Sequence, residues 1–160
     1  MQWFIFFLAG MISFSSSSSD LYRQSRDSQR LSDLGALKGA ITLYLVTAEY
    51  PRLCTDKNKV YQSDKGTGAV DGTGWLPVNL TKTTGGSPIA RLPKDPTNSK
   101  NFIYYYACDP NAITFELNAK MENTRYQNSG EDDVESTDAG DNPKIYETGT
   151  SPGFKLIKNE

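Results

Sequence analysis

The chain has 160 residues, a net charge of −2 and no histidine. That length holds one domain and an accessory segment. The charge balance argues against the clustered basic face of a nucleic-acid footprint, and the missing histidine removes the commonest general base and metal ligand.

Threonine, asparagine, serine, glycine and tyrosine are frequent, so a modest core and many turns are expected. Such a composition suits an extracellular surface better than a compact cytosolic enzyme. The chain has no nucleophile elbow, phosphate loop or His/Cys/Asp arrangement, and it is read as non-enzymatic. No cofactor is expected.

The N-terminus, MQWFIFFLAGMISFSSSSSD, carries the strongest apolar run, Trp3 to Phe14. As a helix this run spans about 18 Å, short of a hydrocarbon core of about 30 Å; adding Ser15–Ser19 brings it to roughly 25 Å. A secretory signal needs positive charge ahead of the apolar run, and only Met1 and Gln2 precede it.

From Asp20 the pattern becomes that of a surface helix. Arg23/Asp27 are spaced i,i+4, and Asp20/Arg23, Asp27/Arg30 and Arg30/Asp33 i,i+3, which predicts neighbouring charges on an exposed helix. Leu34, Leu37, Ile41, Tyr44, Leu45 and Ala48 then recur at helical spacing, with Leu31 extending the stripe upstream. Gly35 and Gly39 weaken the helix but let another backbone come close. Pro51 ends it, because the residue before proline avoids the α region. The first half is expected to be charged all round, and only the second half to face a core.

Beyond Pro51 the chain reads as a turn-rich head. SDKGTGAVDGTGW is loop, WLPVNL a short extended segment at an edge or turn, and RLPKDPTNS rigid connecting chain. NFIYYYACD and ITFELNAKME read as two strands joined by a hairpin at CDPNA. In the second strand Ile113, Phe115, Leu117, Ala119 and Met121 are expected on the buried face. Thr114, Glu116, Asn118, Lys120 and Glu122 fall on the other. Tyr104, Tyr105 and Tyr106 alternate, so sheet packing is favoured over an adhesive surface. A last edge strand is expected near Phe154–Ile157. The apolar face of the hairpin needs a partner, and the Leu34–Ala48 stripe supplies it. The expected fold is α+β, a helix laid across a small antiparallel sheet.

Cys54 and Cys108 form no metal-ligand spacing. They are either two buried thiols or one disulfide closing a long loop; the apolar N-terminus favours the disulfide, which persists outside the cytoplasm.

The ordered set of segments resembles a known family. RDSQRLSDLGALKGAITLYL, then EYP, WLPVNL…LPKDP, FIYYYACD, TFELNAKME and GDNPKIYETGT are similar to successive pieces of type IV pilins and type II secretion pseudopilins, over roughly residues 20–150. The resemblance implies three regions. Residues 1–19 would be the hydrophobic half of the first helix, acting as membrane anchor and filament core. Residues 20–49 would be its amphipathic half, and 50–160 a globular β-rich head with an acidic C-terminal loop. A single helix from Trp3 to Ala48 would be about 69 Å long. The family's basic leader and early glutamate are absent, and the chain is read either as starting inside the mature helix or as a divergent subunit.

The resemblance further implies a structural subunit of an extracellular type IV pilus-like filament at the cell surface, membrane-anchored before assembly. The alternatives are a low-abundance secretion pseudopilin and a monomeric, membrane-tethered, surface-binding domain. The implied partners are further copies of the chain, an inner-membrane assembly platform and a motor ATPase. Trp3, Phe4, Ile5, Phe6, Phe7, Leu8, Met11, Ile12 and Phe14 would form the assembly interface. Some major pseudopilins carry calcium in the C-terminal loop. Asp132, Asp133, Asp138 and Asp141, within the acidic run that also holds Glu131 and Glu135, are therefore calcium candidates, with solvated loop charge as the other reading.

Overall fold

The computed structural model describes residues 17–155. The proposed assembly residues Trp3 to Phe14 lie outside the described residues. One helix, α1 (Ser18–Thr47), precedes a four-stranded antiparallel sheet of β1 (Tyr61–Gln62), β2 (Tyr105–Asp109), β3 (Thr114–Ala119) and β4 (Tyr146–Gly149), in the order β1-β2-β3-β4. The α+β class expected from the sequence is what the structure has.

At about 45 Å, α1 is long for one domain. Its start is chemically defined. Ser17 has extended backbone (φ −63°, ψ 147°), its hydroxyl accepts the Asp20 amide, and Asp20 places negative charge in the first turn. Among the described residues the helix starts at Ser18, and the upstream part of the rod expected from Trp3 to Ala48 lies outside them. The far end stops at Ala48, two residues before the Tyr50–Pro51 step, as the proline predicts. Among the described residues no helix is long and apolar enough to cross a membrane.

The core lies between one face of α1 and one face of the sheet. Leu34, Leu37, Ile41 and Tyr44 from the expected stripe are buried, Ala40 joins them, and Leu45 and Ala48 pack at the edge. The sheet contributes Tyr106, Cys108, Phe115, Leu117 and Ala119, and irregular chain adds Trp75, Leu76, Val78, Leu80 and Leu92. WLPVNL is not a strand: it is held by the Asp71–Asn79 bridge and runs into a 3-10 turn, Leu80–Lys82. Trp75 donates its indole N–H to the Pro93 carbonyl at 2.9 Å, so its polar atom stays bonded inside the core. Cys54 and Cys108 form a disulfide with Cα atoms 6.2 Å apart, tying the chain after the helix to β2.

The hairpin is antiparallel as expected, with Cys108 opposite Phe115 and Tyr105 opposite Asn118. Two expectations fail. Ile113 does not join the buried face; it is half-exposed with φ +56°, where the chain turns into β3. Glu116 and Asn118 are not on a solvent face; both are buried, so β3 is covered on both sides. Among the described residues the last strand is Tyr146–Gly149, which pairs Asn118 with Glu147; of the edge strand expected near Phe154–Ile157, Leu156 and Ile157 lie outside the described residues. Tyr104 and Tyr106 are buried and Tyr105 is half-buried, which fits packing rather than an adhesive tyrosine surface.

Candidate functional site

The two sides of α1 are built for different tasks. On the head side of its first half sits a buried ion cluster. Arg30, fully buried, directs Nη1 to Asp27 Oδ1 (2.7 Å), Nε to Asp95 Oδ2 (2.7 Å) and Nη2 to Asp95 Oδ1 (2.9 Å). Nη2 also lies 2.6 Å from Glu122 Oε1 and donates to Thr97 Oγ1 at 3.2 Å. The planar guanidinium satisfies a carboxylate in two-toothed fashion on one edge and still reaches two more, which a lysine could not do. Phe102 covers the group, with its ring centroid 5.1 Å from Cζ.

Asp27 fastens the helix to the head in a second way. Its carboxylate accepts the backbone N–H of Glu122 (2.9 and 3.1 Å) and of Asn123 (2.7 Å), immediately after β3. Burial pushes the Asp27 carboxyl up, against the pull of these bonds and of Arg30. Arg26 pairs with Glu122, and that bond, with help from Arg30, holds the Glu122 carboxyl down to about 2. Asp95 also closes its own loop by accepting the amides of Thr97 (2.8 Å) and Asn98 (3.2 Å). Tyr104 donates its hydroxyl to Asp33 at 2.7 Å, and burial pushes that phenol well up.

The first half of the helix is thus docked, not charged all round in solvent. Of the four predicted helical pairs, Asp27–Arg30 and Asp20–Arg23 form, the latter at 3.8 Å. Asp33 instead takes Gln29 and Tyr104. The signal for the cluster was present in the sequence. RDSQR carries Arg26, Asp27 and Arg30, LPKDP carries Asp95 and ME carries Glu122, but their meeting depends on tertiary contacts 65 and 96 residues apart along the chain.

The other side of α1 points away from the core, with Ser28 lying 3.4 Å from the Tyr126 hydroxyl of the head. Ser25, Ser28, Ser32, Gly35, Ala36, Gly39, Leu43 and Val46 are exposed, spaced so that they share the face opposite the core. A Cβ built at Gly35 or Gly39 meets nothing within 4 Å. The close approach that these glycines permit is therefore not used within the described residues. Leu21 and Val46 put apolar surface at the two ends of the stripe, 55% and 78% exposed. Next to its C-terminal end a shallow cleft of about 330 Å³ is lined by Pro51, Arg52, Leu53, Pro110 and the strained Ile113.

The acidic loop uses its carboxylates on itself. Asp133 accepts the amides of Ser129, Glu135 and Ser136 at 2.8–3.0 Å, while Asp132 pairs with Arg125. Asp138 accepts from Gly140 and Glu147, and Asp141 lies 3.6 Å from Lys155. Glu135 is buried and accepts the Met121 amide at 3.0 Å. The four calcium candidates are not gathered at one point: Asp132 and Asp133 serve the outer loop, and Asp138 and Asp141 lie toward β4. Among the described residues no three His, Cys, Asp or Glu side chains are grouped as metal ligands.

Under the inner end of this loop, Glu147 is buried against Glu116. Burial, then the nearby charges of Glu116, Asp138 and Asp141, push the Glu147 carboxyl up to about 7. Burial raises Glu116 as well. Sequence reasoning missed this pair, because alternation assigned Glu116 to solvent.

No protein-family model, no curated protein and no solved structure matches the chain.

Proposed function

We propose that this chain is a non-catalytic structural subunit of an extracellular, type IV pilus-like filament, held in the membrane through its N-terminal segment before assembly. The partner is a further copy of the chain, added repeatedly by contacts that do not close into a ring and so generate a helical fibre. A membrane platform and a motor ATPase would drive the addition.

The observation that supports this reading best is the division of labour along α1. One side is fixed to the head by the core stripe and by the Arg30 cluster. The opposite side is a bare run of serine, glycine and alanine, flanked by exposed Leu21, Leu43 and Val46. A helix buried on one side needs only polar residues on the other. Small residues instead let two helix axes approach closely and gain van der Waals contact along their length. Each glycine also costs about 1 kcal/mol of helix stability relative to alanine. The fold bears that cost at Gly35 and Gly39 without using the space.

The test is the double variant Gly35→Leu/Gly39→Leu. Open space surrounds both positions in the single molecule, so the variant is expected to fold and to melt at or above the wild-type temperature. Electron microscopy of cells and purified material is expected to find filaments lost or shortened. Wild-type filaments made from the double variant would refute assembly through this face.

A further inference from the structure

The back of the sheet carries a second buried charge cluster, and among the described residues it has no cation of its own. Alternation along β3 turns Glu116 and Asn118 away from the core, and the register sets Glu147 directly opposite Asn118. All three are at most 1% exposed. One oxygen of each glutamate is used: Glu116 Oε2 accepts the Phe154 amide at 2.6 Å, and Glu147 Oε2 accepts the Asn142 amide at 2.8 Å. The remaining oxygens, Glu116 Oε1, Glu147 Oε1 and Asn118 Oδ1, are buried without a hydrogen-bond partner.

The contrast with the helix side is informative. There the buried carboxylates Asp27 and Asp95 surround a guanidinium. Here, among the described residues, no lysine or arginine pairs with Glu116 or Glu147. The nearby Lys155 reaches Asp141 instead. Two carboxylates taken out of water side by side need a compensating positive charge. The amide oxygen of Asn118 is independent of that charge argument. It is a neutral acceptor, fully buried, on the same strand face and with nothing to accept from.

We propose that Glu116, Asn118 and Glu147 bind a hard divalent cation of the calcium type between β3 and β4. The free donors are all oxygen, two of them anionic and one an amide carbonyl, which is the ligand chemistry such ions select. Histidine and thiolate, which would favour zinc or copper, are absent from the cluster. The site also has a structural consequence. Glu116 holds the C-terminal tail at Phe154, and Glu147 holds the inner loop at Asn142. An ion bridging the two glutamates fastens loop, tail and sheet edge at one point. The site is distinct from the outer acidic loop of Asp132 and Asp133.

The test is calorimetric titration of the chelator-treated full chain with calcium chloride, alongside thermal melts with and without calcium. Saturable binding is expected, with a melting temperature that climbs as calcium is added. Glu147→Gln and Asn118→Leu are expected to weaken binding at least tenfold, while Asp132→Asn keeps wild-type affinity. No binding heat and no change in melting temperature at millimolar calcium in the wild type would overturn the proposal and leave a proton shared by the two glutamates. Binding lost in Asp132→Asn but kept in Glu147→Gln would overturn it by moving the ion to the exposed loop. The wild-type titration does not depend on whether any variant folds.

Discussion

Replacing Arg30 with methionine removes the cation that Asp27, Asp95 and Glu122 share while keeping much of the side-chain volume. In the wild type the guanidinium lies 2.6–2.9 Å from oxygens of Asp27, Asp95 and Glu122, and Arg30, Asp27 and Asp95 are buried. After the change Glu122 keeps Arg26, and Asp27 keeps its bonds to the amides of Glu122 and Asn123. Asp95 keeps only the amides of its own loop. Removing one partner from a buried ion pair typically costs about 3–5 kcal/mol. A domain of this size gains or loses about 2–4 °C in Tm per kcal/mol, so a fall of roughly 10 °C is expected. Urea unfolding and thermal melts of wild type, Arg30→Met and Arg30→Lys measure it. Lysine restores the charge but not the fork, and should fall between the other two. Adding Asp95→Asn to Arg30→Met should recover part of the loss, because it removes the carboxylate left with the weakest compensation. An Arg30→Met protein within about 1 kcal/mol of wild type would refute the claim that this cluster docks the helix.

The same cluster gives the fold an acid sensitivity. Glu122 is held down to about 2 in the folded chain, against about 4.3 when unfolded. The unfolded state therefore binds more protons between those values, and the Glu122 contribution is complete above pH 5 and lost as pH falls toward 2. The stability gap between wild type and Glu122→Gln should shrink over that window; a gap constant from pH 6 to pH 2.5 would contradict it. Asp27, pushed up by burial, has the opposite sign and blunts the overall profile without removing the Glu122 difference. The Cys54–Cys108 bond closes a loop of 54 residues, which in the chain-entropy account is worth about 4 kcal/mol. Reduction, or the double change to alanine, should lower the urea midpoint accordingly, and an unchanged midpoint would remove the disulfide from the account.

The parts of the fold legible in the sequence are those where burial follows a simple period. The Leu34–Ala48 stripe reads as a helix face because nothing charged interrupts it, and Phe115, Leu117 and Ala119 read as a strand face for the same reason. The parts that were hidden are those where polar residues are buried. Asp27 and Arg30 have the spacing of a surface pair, and only Asp95 and Glu122, far along the chain, turn them inward. Glu116 and Asn118 look like a solvent face until the chain beyond β3 and the tail cover them. Strand β4 is four residues long and carries Glu147 and Gly149, so neither propensity nor alternation marks it. The bare face of α1 was half legible. Gly35 and Gly39 announced a close approach, but only the structure places them on the side away from the head.

The central claim concerns which side of α1 meets other copies of the chain, and cryo-electron microscopy of the assembled polymer measures that directly. The account predicts a helical fibre in which Ser32, Gly35, Ala36 and Gly39 of each subunit lie against neighbouring helices, with the heads outside. A fibre with this face turned to solvent, or a full-length chain that stays monomeric under conditions of assembly, would contradict it.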